Sequence, residues 1–106
     1  METLNRDQQI IQSVLENIAA QDPDAQLVLD TKRDRYLILH NSWHNDSRLY
    51  GCSIHLDLID GKIWIQHNST EIQIDQKLIR AGIPPKNIIL GFRSPIIRSL
   101  LEKVSA

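Results

Sequence analysis

The chain has 106 residues, enough for one domain with a core and too few for two. Its 42% hydrophobic and 24% charged residues are those of a soluble globular protein. Twelve basic residues against thirteen acidic ones give a net charge of −1, which argues against a protein held to nucleic acid by bulk electrostatics. A lone cysteine excludes an internal disulfide and gives no zinc-ligand spacing. No stretch approaches the ~18 apolar residues of a membrane span, and residues 1–20 lack the apolar core of a signal peptide, so a cytoplasmic, membrane-free protein is expected.

In chain order, residues 4–20 predict an amphipathic helix, because Leu4, Ile11, Val14, Leu15 and Ile18 recur at helical steps. Asp22-Pro23 ends it. A strand is expected at 26–31, a polar turn at 32–34, and a second strand at 35–43. A reversal at 44–47, through a two- or four-residue loop, sets Trp43 opposite Arg48 and suggests a cation–π pair there. The same register pairs Leu39 with Cys52 and Leu37 with Ile54. It puts Leu37 and Leu39 on the core face and Tyr36 beside His55.

The run 48–66 is the clearest part of the chain. Asp60-Gly61 between apolar runs predicts a type I′ turn, which needs φ > 0 at both central positions. Side-chain alternation then places Cys52, Ile54, Leu56, Leu58, Ile63 and Ile65 on one face, and His55, Asp57, Trp64 and Gln66 on the other. Beyond a break at Asn68-Ser69, residues 70–72 are candidates to extend the sheet. A short helix follows at 74–81, with Gly82 as its left-handed C′ residue and Pro84-Pro85 preventing continuation. Residues 87–92 form a short strand or a buried connection. Ser94-Pro95 reads as N-cap and N1 of a last helix carrying Ile97, Leu100, Leu101 and Val104 on one face. The expected fold is α+β: a single domain, residues 1–106, with a four-stranded antiparallel meander at 26–68, an N-terminal helix and two C-terminal helices packed on the sheet.

The polar face is where chemistry is expected. His55 and Asp57, two apart on one strand, point the same way, and a carboxylate beside an imidazole orients it and raises its basicity. A hydrogen-bonded surface pair is the blander reading and weighs more, since no nucleophile or further ligand lies nearby in sequence. His40 could approach this face and complete a divalent-metal set. Tyr36 and Trp64 on the same face mark an interaction surface or a helix-packing site. A platform for single-stranded nucleic acid would need positive charge that the sequence does not place there. No phosphate-cradling glycine loop and no nucleophile elbow occur, so no catalytic residue, metal or cofactor is assigned.

Many residues in order carry a family resemblance. They are Asp30-Thr31, Arg33-Asp34, Tyr36, Trp43, Arg48, Tyr50-Gly51-Cys52, His55, Asp57, the run Asp60 to Gln66, Asn68 and Thr70-Glu71. Ala81-Gly82-Ile83-Pro84, Leu90-Gly91-Phe92 and Pro95 continue the pattern. Over about residues 4–95 the chain resembles the XisI-like proteins, the excision controlling factors of the cyanobacterial fdxN element. The resemblance implies an accessory, non-catalytic role in site-specific DNA excision, in which a separate recombinase cuts and rejoins DNA. It also implies a XisH-like protein partner. A homo-oligomer is an accompanying reading, and a small enzyme or metal-binding protein using His55 and Asp57 is the second hypothesis. Direct DNA binding is a third, against which the few clustered cations weigh. The tail departs from the family pattern: residues 96–104 read as an amphipathic helix where members end in an extended, aromatic-containing segment.

Overall fold

Asn5 fixes the start of the first helix. Its side-chain oxygen accepts from the Gln8 backbone N–H at 2.8 Å, and the Gln8 side-chain oxygen accepts from the Asn5 N–H at 3.0 Å. This capping box satisfies two donors that a helix end otherwise leaves open. The structure, a computed structural model, describes residues 5–105, with side chains through residue 100. Helix α1 runs Arg6–Ala19 and buries Ile11, Leu15 and Ile18, as the apolar spacing requires; Leu4 lies outside the described residues.

Four strands follow as the predicted meander: β1 Ala25–Asp30, β2 Arg35–His44, β3 Ser47–Ile59 and β4 Lys62–Asn68. Asp60 and Gly61 both have positive φ, 51° and 75°, which is the type I′ turn. The β2–β3 reversal uses the two-residue loop Asn45-Asp46, and Trp43 pairs with Arg48 and Leu39 with Cys52. The alternation breaks just beyond. Ser53 is an extra residue in β3, so Ile38 pairs with Ile54 and Leu37 with His55. A bulge survives here because its polar groups are occupied: the Ser53 hydroxyl donates to the Ile38 carbonyl at 3.3 Å, and its own carbonyl accepts the Ser69 N–H at 2.9 Å. A second shift, at Gln66, pairs His55 with His67 rather than with Gln66.

The Ser53 bulge reverses the expected faces of Tyr36, Leu37, Leu39 and Cys52. Tyr36 and Ile38 belong to the core, while Leu37, Leu39 and Cys52 lie on the opposite face. Tyr36 is fully buried.

The sheet has a fifth strand. Residues Ile88–Leu90 form β5, pairing parallel to β4 with Ile63 opposite Ile88 and Ile65 opposite Leu90, so the sheet is mixed rather than a four-stranded meander. A parallel neighbour needs a crossover, and helix α2 (Ile74–Arg80) supplies it. Residues 70–72 do not extend the sheet. The Asn68 side chain accepts from the Thr70 N–H and hydroxyl and donates to the Ile72 carbonyl, folding the chain into a turn. Helix α2 ends in a Schellman motif: the Gly82 N–H bonds the Ile79 carbonyl and the Ile83 N–H the Leu78 carbonyl, both at 3.0 Å. Helix α3 covers Pro95–Ser105, with the Ser94 hydroxyl accepting from the Ile97 N–H at 3.3 Å.

Helices α1 and α2 cover one sheet face, closing a core of Ile11, Leu15, Tyr36, Ile38, Ile54, Leu56, Ile63, Ile65, Ile74, Leu78 and Ile83. No described helix is long and apolar enough to cross a membrane. Gly82→Ala is expected to lower stability by about 1 kcal/mol or more in urea titrations. Its φ is +116°, and an added Cβ would stand 2.5 Å from the Arg6 guanidinium, which donates to the Gly82 carbonyl.

Candidate functional site

The sheet face opposite α1, the open face, gathers four of the five residues that the sequence nominates. Asp57 lies between two donors: His55 Nε2 is 2.9 Å from one carboxylate oxygen, and Gln66 Nε2 donates to the other at 3.2 Å. Their strand positions explain this. His55 and Asp57 are two apart on β3, and the shift at Gln66 brings its amide across to the carboxylate. The pair is partly sheltered, with side-chain exposures of 33% for His55 and 17% for Asp57. A carboxylate held this way fixes the imidazole's orientation.

Trp64 completes the group. It pairs with Asp57 across β3–β4, and the Arg98 guanidinium of α3 sits 5.1 Å from its ring centroid. Gly91 makes this packing possible, since a Cβ there would meet Cε3 of Trp64 at 3.2 Å and Cδ of Gln66 at 3.1 Å.

Tyr36 is not part of this face. Its hydroxyl points through the core to Asp34, donating at 2.8 Å to the oxygen that also accepts from Gln8 Nε2 at 2.7 Å. Burial, and then the Asp34 carboxylate, push the tyrosine hydroxyl far above its ordinary titration range. The group ties the first turn of α1 to the β1–β2 turn, where Asp34 itself takes a left-handed φ of 56°.

His40 does not join His55 and Asp57 either. It faces the α1 side and lies 2.7 Å from the Asp22 carboxylate. Among the described residues no three His, Cys, Asp or Glu side chains gather in a metal-holding group. The Asp24 N–H, and then His40, hold the Asp22 carboxyl below the usual carboxylate range. A folded-state pKa below the unfolded one gives stability that is present above about pH 4 and lost as pH falls through the folded value. Asp22→Asn is therefore expected to lower Tm slightly at neutral pH and to converge with the parent below about pH 4, which flattens the acid limb of a Tm-versus-pH curve.

Strand pairing exposes a region that local patterning does not reveal. β1 pairs β2 only as far as His40, and β4 pairs β3 only from Ile54, so the β2–β3 tip projects as a two-stranded ribbon. Its open-face side carries Trp43 and Tyr50, 66% and 72% exposed. Arg48 lies between them, 5.1 Å from the Trp43 centroid and 6.0 Å from that of Tyr50, and donates to the Asn41 side chain. The expected Trp43–Arg48 stack is present, and Tyr50 extends it. Cys52, at the ribbon's base, donates to the Ile54 carbonyl at 3.1 Å, and burial raises its thiol pKa above the ordinary value.

Helix α3 adds a second exposed region. Phe92, Ile96, Ile97 and Leu100 are 48%, 74%, 42% and 52% exposed, a run of apolar side chains with no cover among the described residues. The predicted face at Ile97 and Leu100 is thus an unpartnered one; the side chains of Leu101 and Val104 lie outside those described.

Comparison with known proteins follows the same architecture. A family model described as "XisI protein" matches residues 1–103. The crystal structure of a XisI-like protein from Anabaena variabilis ATCC 29413 at 1.30 Å superposes with a TM-score of 0.85. It is 35% identical, with the match covering 92% of this chain and 94% of that one. The fdxN element excision controlling factor XisI from Anabaena variabilis ATCC 29413, solved at 2.19 Å, gives a TM-score of 0.74. It is 34% identical, over 88% of this chain and 89% of that one. No curated protein matches.

Proposed function

The chain belongs to the XisI family, and from that premise we propose that it is an accessory, non-catalytic protein-binding factor in site-specific DNA excision. In this reading it acts with a XisH-like partner while a separate recombinase cuts and rejoins the DNA. Support comes from a relative whose name is that of an excision controlling factor, and from the unpartnered apolar face of α3. Ile96, Ile97 and Leu100 lie at helical spacing, the pattern by which an amphipathic helix enters a groove on another protein. Water contact at three such side chains is unfavourable, and a partner groove removes it.

Co-expression with a XisH-like protein, followed by size-exclusion chromatography, tests this. One shared peak is the expected result; two separate peaks count against it. The other reading, a small enzyme or metal-binding protein, has the 2.9 Å His55–Asp57 contact in its favour. Metal analysis and a nuclease assay with Mg²⁺ or Mn²⁺, alone and with the partner, decide it. Activity lost in Asp57→Asn would favour that reading.

A further inference from the structure

The chain is nearly neutral, yet its open face is not. Strand alternation puts Arg35, Arg48 and Lys62 on that face, and α3 delivers Arg98 to it. None of the four forms an ion pair among the described residues, although Arg35 stands across the ladder from Asp30 and Asp57. The two carboxylates that alternation places there are already engaged, Asp57 by His55 and Gln66 and Asp30 by Arg33. Acidic Asp7, Glu16, Asp22 and Asp24 belong to α1 and the segment leading to β1. Net charge hides this local excess of cations, to which α3 contributes through the one contact of Arg98 with Trp64.

Aromatic rings are interleaved with these cations. Arg48 stacks on Trp43 and Tyr50, and Arg98 on Trp64. From the geometry we infer that the open face is a binding platform for single-stranded nucleic acid: rings for bases to stack on, and guanidinium edges for the phosphates between them. A guanidinium carries five N–H donors, so Arg48, with one given to Asn41, and Arg98 keep donors that phosphate oxygens can accept beside the rings. Every base has a π-face, so such a platform reads little sequence. Nine residues of β3 separate the partners of Trp43 and Trp64, roughly 28 Å with the bulge allowed for. That length takes about eight stacked nucleotides at ~3.4 Å each, within the ~4–16 that single-strand-binding folds cover. The projecting ribbon leaves both its edges clear for the strand to pass.

The platform shares α3 with the apolar face only through Arg98; its rings lie on β2, β3 and β4, so different substitutions test the two sites. The test is fluorescence anisotropy of a labelled oligothymidylate of about 20 nucleotides with the full chain, against a duplex of the same length. Saturable binding that prefers the single strand is expected, with log K falling against log salt at a slope of about −3 for four phosphate contacts. Trp43→Ala and Trp64→Ala should each weaken binding about tenfold or more. Arg48→Lys should keep the salt slope and still lose affinity, because the ammonium cannot stack as the guanidinium does. Trp43 is exposed enough that its substitution leaves the far-UV circular dichroism unchanged, so its failure to bind is not a failure to fold. Trp64 is partly buried, and its variant counts only where the same spectrum is kept. Absence of binding at low salt, parental affinity in both tryptophan variants, or duplex bound as tightly as single strand overturns the inference. So does a face that ignores the oligonucleotide but whose Trp43 and Arg48 substitutions break a protein complex.

Discussion

Replacing Tyr36 with alanine is expected to cost about 3–5 kcal/mol, a large share of the ~5–15 kcal/mol that holds a domain folded. The ring has no exposed surface, and its loss leaves a cavity between α1 and the sheet, lined by Ile and Leu side chains that cannot all collapse into it. Tyr36→Phe isolates the other part of the role. It keeps the ring and removes one donor from Asp34, whose oxygen still accepts from Gln8, so about 1–2 kcal/mol is expected. Urea titrations at neutral pH measure both. If Tyr36→Ala behaved like an exposed substitution, within about 0.5 kcal/mol of the parent, the bulge at Ser53 and the core built on it would be wrong.

That bulge explains what the sequence reveals and what it conceals. Asp60-Gly61 reads correctly because its turn chemistry is local: two adjacent positive φ angles are written in two adjacent residues. The same holds for Gly82 before two prolines, and for Ser94-Pro95. Alternation carries His55, Asp57 and Trp64 to one face because only regular strand separates them. Ser53 interrupts it with no signal of its own, being a small polar residue whose two partners, Ile38 and Ser69, are distant in sequence. One extra residue inverts every assignment beyond it. Tyr36 therefore crosses from the open face to the core, and Cys52 from the core face to the open one, where it stays partly buried.

The fifth strand is hidden for a different reason. Residues Ile88–Leu90 have no alternation to read in three positions, and their pairing depends on a crossover through α2 that only the assembled fold shows. The cationic character of the open face is equally non-local. Arg98 comes to Trp64 from a helix more than thirty residues away, so no window of the sequence contains the pair.

Placing glutamate at Ile96 and Ile97 together is expected to weaken the complex with a XisH-like protein by more than about hundredfold while leaving the isolated chain's Tm unchanged. The free chain already exposes these side chains, Ile96 by 74%, so exchanging them for carboxylates removes little folding energy. In the complex the balance reverses. Each isoleucine buried in a groove contributes ~1.5–3 kcal/mol, and a carboxylate in its place must also lose water. Two losses of that size exceed the ~2.8 kcal/mol that corresponds to a hundredfold change in affinity. Isothermal titration calorimetry of the parent and the double variant measures this, with Arg48→Ala as the control on the other surface. Calorimetry that showed Arg48→Ala to be the damaging change and the double variant harmless would move the protein contact from α3 to the ribbon. The oligonucleotide platform would then compete with the partner for one face instead of working beside it.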